Sequence, residues 1–288
     1  MDVFGPVPSR RLGHSLGINN IPPKLCSYSC VYCQLGRTTK MRIERCPLCE
    51  PAELREAVKA KIESLTNAGS TVDYLTFVPD GEPTLDSNLS REIDILKESF
   101  DIKVAVITNA SLLWIEDVRQ ALLRADLVSL KVDAVSNELW RKINRPHPKL
   151  SISRILDGIL SFSETYSGSL ITETMLVNGI NDNESSLQEV ARFLSSIRPQ
   201  KACIAIPTRP PAERRVKPPG ESTLTMAYHI FEESLPDVEL LIGYEGKAFA
   251  YTGDVENDLL SIVSVHRVIS RVGITKVCLL YTSPSPRD

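Results

Sequence analysis

Three cysteines, Cys26, Cys30 and Cys33, stand in the run CSYSCVYC with the spacing C-x3-C-x2-C, and an aromatic residue, Tyr32, sits directly before the last of them. A loop with three thiolates this close together can wrap one cubane 4Fe–4S cluster, holding three irons by sulfur and leaving the fourth without a protein ligand. Ligating thiols must be deprotonated, and close spacing lets one metal unit lower all three pKa values together. The same stretch supports a competing reading. Cys30-x2-Cys33, twelve residues, then Cys46-x2-Cys49 is close to a four-cysteine zinc ribbon, whose closed site would be structural. That reading leaves Cys26 unused, and the interval lacks the turn signals of a ribbon hairpin. Outside it, Cys46 and Cys49 are too few for a second cluster and read as a redox pair or as surface residues ahead of the first helix.

Further polar residues fall where strands should end. Gly81, Glu82 and Pro83 follow an apolar run, as do Thr108 and Asn109. Ser129, Lys131 and Asp133 alternate along one strand and so share a face. The alternative role for that set is a salt bridge between neighbouring strands. Glu173 lies inside an otherwise apolar strand, and a buried carboxylate is costly unless paired or hydrogen-bonded, which makes it a candidate catalytic residue. Arg209, in PTRPPAE, can clamp an anionic group with its planar fork, or tie a rigid proline corner by pairing with Glu213. Arg10 and Arg11 either reach a phosphate or cover the barrel bottom. His14 and Cys203 read as packed residues.

These residues need a scaffold that aims strand ends at one place. Short β-branched runs alternate with segments of helical period, the pattern of βα units around a parallel sheet. Strands are expected at His14–Ile21, Asp73–Val78, Lys103–Thr108, Leu127–Val132, Ser169–Val177 and Lys201–Ile206. Helices are expected at Pro51–Asn67, Leu89–Phe100, Ile115–Arg124, Ile152–Tyr166 and Glu184–Ile197. Six strands with helices between them give an α/β fold, a partial (βα)6 TIM-like barrel, in which chemistry gathers at the carboxyl ends of the strands.

The chain has 288 residues, a net charge of −3 and seven cysteines bunched toward the front, which argues against a disulfide framework and for metal or redox chemistry. No run approaches the roughly 18 apolar residues of a membrane span, and a cytoplasmic location is expected. The proline- and charge-rich run from Thr208 marks an expected boundary between a core barrel, 1–215, and a small α+β appendage, 216–277. Short strands are expected there at Glu239–Gly246 and Phe249–Thr252, and a helix at Glu256–Val265. The last eleven residues, CLLYTSPSPRD, match one reading frame of a sequencing-library adapter, and 278–288 is expected to be an artefact.

Taken together, the cysteine motif and the Gly81–Glu82–Pro83 segment resemble the radical S-adenosylmethionine (SAM) superfamily. The blocks FGPVPSRRLGHSLGINNIPPKLCSYSCVYCQLGRT, TETMLVNGINDNE and PTRPPAE resemble its subfamily related to tRNA wyosine synthases. Archaeal synthases carry additional cysteines upstream, whereas none precedes Cys26 here. The resemblance implies reductive cleavage of SAM to a 5′-deoxyadenosyl radical that abstracts hydrogen from a substrate. It implies that Gly81, Glu82 and Pro83 bind the SAM ammonium, that Asn109, Ser129, Lys131 and Asp133 serve its carboxylate and ribose, and that Tyr32 packs near its adenine. An external low-potential reductant, ferredoxin or flavodoxin, is implied as partner, and nucleic acid becomes a partner if the substrate is tRNA.

Overall fold

A computed structural model describes residues 2–242. The chain begins with an antiparallel hairpin, β1 (Asp2–Ser9) and β2 (Gly13–Asn19), followed by a two-strand pair, β3 (Leu25–Cys26) and β4 (Lys40–Met41). Then come α1 (Pro51–Asn67), β5 (Tyr74–Phe77), α2 (Leu89–Ser99), β6 (Lys103–Thr108), α3 (Glu116–Leu122) and β7 (Leu127–Lys131). The remainder is α4 (Asn137–Asn144), α5 (Ile152–Thr165), β8 (Ser169–Met175), α6 (Glu184–Ile197), β9 (Lys201–Ala205), α7 (Glu221–Glu232) and β10 (Val238–Leu241).

Eight strands form one sheet in the order β1-β2-β5-β6-β7-β8-β9-β10, parallel throughout except for the edge strand β1. The sheet curls until its ends approach: at the tip of the first hairpin, Arg10 Nη1 donates to Leu240 O of β10 at 3.2 Å.

Local signals account for the helices. Pro51 opens α1, where its missing N–H is not needed. Ser136 and Asn183 cap α4 and α6 by accepting from Leu139 N and Ser186 N. Helix α2 buries Leu89, Glu92, Ile93 and Leu96, and α5 buries Ile155, Gly158, Ile159 and Phe162, each set at the i, i+3, i+4, i+7 spacing of one helix face. These faces meet Leu75, Phe77, Val104, Val106, Val128 and Leu130 of the strands in the main core. A smaller cluster of Leu12, Ala105, Leu127 and Ile171 fills the concave side, with Leu12 supplied by the hairpin turn.

All six expected strands form within two residues of their expected ends, and all five expected helices form. Strands β1, β3 and β4 are added, and β10 forms at the start of the strand expected at Glu239–Gly246. β1 carries Pro6 and Pro8, which an edge strand tolerates because one row of its N–H groups is unpaired. β10 pairs with β9, and α7 buries Leu224, Ala227 and Phe231 in the main core. The chain beyond Thr208 therefore extends the barrel's own sheet as far as it is described. Most of the expected appendage, including Phe249–Thr252 and Glu256–Val265, lies outside the described residues, as does 278–288. Among the described residues no helix is long and apolar enough to cross a membrane.

Candidate active site

The cysteine loop runs from the end of β2 over the carboxyl ends of the strands and is held there by α4. The last carbonyls of a helix lack partners inside it. Those of α4 and its cap are taken by the loop: Val31 N donates to Ile143 O at 2.9 Å and Ser29 N to Asn144 O at 3.0 Å. Below them Trp140 Nε1 donates to Tyr28 Oη at 3.0 Å, both side chains being buried with their rings edge to face.

Two amides are aimed at sulfur. Asn109 Nδ2 donates to Cys26 Sγ at 3.5 Å, and Asn144 Nδ2 donates to Cys30 Sγ at 3.4 Å. Burial raises the pKa of all three thiols. For Cys26 the charge of Glu82 adds to the effect, and Cys30 is pushed up to about 12 by burial and then Asp133. Thiols raised in this way ligate only to a group whose positive charge expels their protons. An iron–sulfur cluster fits the donor set, because hydrogen bonds to its sulfurs are a usual means of tuning it.

The four-cysteine zinc arrangement does not form. Cys46 and Cys49 are anchored along the segment 85–88, and no three His, Cys, Asp or Glu side chains among the described residues converge on a single ion. The thiolates of a cubane bind different irons and are not required to converge in that way.

The segment Gly81–Glu82–Pro83 docks directly beneath the cysteine loop. Glu82 N donates to Leu25 O at 3.1 Å, and a Cβ at position 81 would lie 1.9 Å from the same carbonyl, so only glycine fits. Glu82 is 1% exposed and fully engaged: Oε1 accepts from Thr84 N, Thr84 Oγ1 and Thr108 Oγ1 at 3.1, 2.6 and 2.6 Å, and Oε2 from Asn109 N at 2.8 Å. Burial raises its pKa, and these bonds oppose the rise. Its carboxylate ties the turn after β5 to the end of β6.

Asp133 follows β7. Its Oδ2 accepts from Tyr32 Oη and from Asn144 Nδ2 (2.7 Å), and its Oδ1 from Met175 N at 2.8 Å. Lys131 Nζ lies 5.0 Å from the centre of the Tyr32 ring. A narrow crevice runs between Tyr28, Asn109, Lys131, Asp133 and Asn144.

Deeper on the concave face, Glu173 receives Lys131 Nζ on Oε1 and Arg11 Nη1 on Oε2, each at 2.5 Å, and Arg11 also reaches Ser129 Oγ at 3.5 Å. Burial alone would raise the pKa of Glu173, but the two cations hold it at about 2. The inter-strand salt bridge foreseen as the alternative role for Lys131 is thus present, with Glu173 as its partner.

Arg209 lies on the rim, where Nη1 donates to Gln34 Oε1 at 2.6 Å. The expected tie to Glu213 is replaced: Glu213 Oε1 takes Arg145 at 2.6 Å and Arg37 at 2.9 Å, while Glu213 N caps Val31 O. The proline loop is in this way fastened to the cysteine loop and α4.

The structure therefore gathers the three cysteines, Tyr32, Gly81–Pro83, Asn109, Ser129, Lys131, Asp133 and Glu173, and leaves Arg209 at the edge. Arg11 and Thr108, both named from the sequence, join them, as do Thr84, Asn144 and the pair Ser27 and Ser111 around Asn109, which were not singled out. Around the mouth, the linked segments 24–45, 141–149 and 209–217 carry thirteen Lys or Arg against two Glu, in a chain whose net charge is −3. A local basic collar exists where the whole chain is weakly acidic.

A profile of the radical SAM superfamily matches residues 20–194. A UPF0026 protein of Methanocaldococcus jannaschii is 49% identical over 91% of this chain and 82% of its own length, and a UPF0026 protein of Helicobacter pylori is 36% identical over 72% and 67%. Among solved structures, that of TYW1 with a lysine–pyruvate adduct bound superposes with a TM-score of 0.58 at 16% identity, covering 77% of this chain and 74% of that one. Streptococcus suis SuiB bound to S-adenosylmethionine superposes with a TM-score of 0.56 at 13% identity, covering 80% and 51%. At these identities the two structures share the fold.

Proposed function

Because the chain belongs to the radical SAM superfamily and to its UPF0026 relatives, we propose that it is an enzyme that holds one 4Fe–4S cluster on Cys26, Cys30 and Cys33, cleaves S-adenosylmethionine reductively and abstracts hydrogen from a substrate in the partial barrel. The observation that carries this reading is the pair of amides, Asn109 and Asn144, directed at two of the three sulfurs on a loop docked against Gly81–Pro83. When bound, the cluster and S-adenosylmethionine supply the one-electron cleavage of the sulfonium and the hydrogen-abstracting species.

The chain's own residues bind, orient and shield. Glu82, with its oxygens committed to Thr84, Thr108 and Asn109, positions the backbone of Gly81 and Pro83 for the cofactor's ammonium. Lys131 and Asn109 would hold its carboxylate, Asp133 and Ser129 its ribose, and Tyr32, whose hydroxyl donates to Asp133, its adenine. Glu173 keeps Lys131 charged and upright from below. Arg209 on the rim serves an anionic group of the substrate. The collar suits an acidic low-potential donor, ferredoxin or flavodoxin.

The test is anaerobic purification with iron, sulfide and zinc analysis, then reduction by dithionite in the presence of S-adenosylmethionine. Formation of 5′-deoxyadenosine in the wild type and its loss in Cys30→Ala support the reading. Zinc in place of iron and sulfide refutes it.

The basic collar also favours a second reading, a tRNA-modifying enzyme of wyosine-synthase type. Binding through phosphates weakens steeply with salt. RNA that co-purifies at low salt and is released by salt supports this reading, and RNA-free protein that fails to retain added tRNA removes it.

A further inference from the structure

Outside the proposed site, one group of nucleophilic and titratable side chains has no part in that chemistry: Cys46 and Cys49 with Asp86 and Glu92. Both cysteines are anchored along the segment 85–88. Cys46 N donates to Leu85 O at 3.2 Å, and its carbonyl accepts from Ser87 N at 3.0 Å. Three residues on, Cys49 N donates to Asp86 Oδ2 at 2.8 Å, and its carbonyl accepts from Asn88 Nδ2 at 2.8 Å. Asp86 Oδ1 meanwhile accepts from Leu48 N and Asn88 N at 3.2 and 2.8 Å. The backbones of both cysteines are thus held, three residues apart, along one short ledge, and no disulfide joins them.

They differ in access. Cys46 is half-buried beside the exposed Pro47, whereas Cys49 is 7% exposed. Behind Cys49, on α2, lies the fully buried Glu92. Its Oε2 accepts from Asn20 Nδ2 at 2.9 Å. Its Oε1 makes no hydrogen bond of ordinary geometry, and the carboxyl stands against the Cys49 thiol and Asp86.

We propose that Cys46 and Cys49 form a redox-active dithiol that exchanges with small disulfides, with Cys46 as the attacking sulfur, Cys49 as the resolving sulfur and Glu92 as acceptor of the Cys49 proton. The reaction is independent of the radical chemistry proposed above. The Cys46 thiolate attacks one sulfur of the small disulfide, forming a mixed disulfide and expelling one small thiolate. Cys49 passes its proton to Glu92 and attacks the Cys46 sulfur. A Cys46–Cys49 disulfide forms, the second small thiolate leaves, and solvent takes the proton from Glu92. The chain loses two electrons and the small disulfide gains them.

The division of labour follows from burial. Cys46 is the sulfur that an outside molecule can reach. Burial raises the pKa of Cys49, so it needs a base. Burial, followed by the charge of Asp86, raises Glu92 to about 8, so it is mostly protonated at neutrality and only its ionised fraction, growing as pH rises, accepts the proton.

The test takes the anaerobically purified, cluster-loaded full chain through glutathione mixtures spanning about a thousandfold in reduced-to-oxidised ratio. Alkylation under denaturing conditions and peptide mass mapping follow. Cys46 and Cys49 should lose alkylation together and appear joined within one peptide, with Cys203 unchanged. Cys49→Ser should trap glutathione on Cys46, and Glu92→Gln should slow ring closure by about tenfold or more while leaving the first step unaltered. Full alkylation of both thiols at the most oxidising ratio overturns the proposal, as does capture of glutathione by Cys49 in place of Cys46, or closure of Glu92→Gln at the wild-type rate. The wild-type and Cys49→Ser measurements decide the pairing whether or not Glu92→Gln folds.

Discussion

Lys131 of β7 and Glu173 of β8 stand opposite each other in the parallel register, their charged atoms 2.5 Å apart on the concave face of the sheet. Arg11, from the turn of the first hairpin, closes on the other oxygen of the same carboxylate. One anion thereby holds two cations whose side chains arrive from opposite ends of the barrel.

Removing that anion strands both cations. Glu173→Gln should destabilise the chain by about 3–5 kcal/mol, the usual cost of breaking a buried pair by deleting one partner. Its pH signature follows from the depressed pKa of about 2. The contribution of Glu173 is complete above the ordinary carboxylate range of about 4.3 and is lost as pH falls through 2. Urea unfolding of wild type and variant at pH 7 and in acid measures it, and the gap between the two proteins should narrow on acidification. A gap that stays constant would show that the pairing does not shift the titration.

Glu92 has the opposite sign. Its folded pKa of about 8 means that the folded chain keeps a proton that the unfolded chain releases above the ordinary carboxylate range. Its effect on stability therefore worsens as pH rises toward 8. Glu92→Gln should flatten the decline of urea midpoint over that interval and make the variant relatively more stable at pH 8 than at pH 5.

The amide of Asn144 reaches Cys30 Sγ and Asp133 together. Asn144→Ala should weaken cluster retention by about 10–100-fold, the range typical of groups that support metal ligands. Iron loss to a chelator under anaerobic conditions is the readout. Wild-type retention in the variant would mean that the amide orients Asp133 alone.

Trp140 donates to Tyr28 in a fully buried contact. Tyr28→Phe leaves the indole N–H without a partner and should cost about 1–3 kcal/mol. Because Tyr28 lies between Cys26 and Cys30, iron content per chain should fall as well. Thermal melts and iron analysis on the same sample separate the two effects.

All three thiols are raised by burial, so cluster uptake at neutral pH must expel their protons. Reconstitution monitored in weak buffer should release acid, and uptake should improve with rising pH. Uptake independent of pH between 7 and 9 would contradict the shifts.

The barrel was legible where periodicity was strong. Runs such as KVAVIT and LVSLK can only be strands between helices, and the cysteine spacing needed no structure to be recognised. β1 was concealed by its prolines, α4 by its eight-residue length, and α7 by the proline run ahead of it. Within the site, residues carried by strand ends could be named, because alternation assigns them a face. Arg11 could only be placed as reaching a phosphate or covering the barrel bottom, and Asn144 gave no signal. Their contacts span 162 and 114 positions and depend on how far the sheet curls. Glu82 showed a different limit: its position was evident from Gly81–Glu82–Pro83, but the engagement of its oxygens by Thr84, Thr108 and Asn109 was not.

The curled sheet leaves a seam between the hairpin tip and β10, and there Arg10 spans the gap with a hydrogen bond to Leu240 in place of a ladder of paired strands. A bond of that kind contributes about 1 kcal/mol. Among the described residues, parting the seam breaks no strand register, so the wall opposite β6 and β7 is where the barrel can widen with least loss of strand pairing while the sulfur-bearing loop stays fastened to α4.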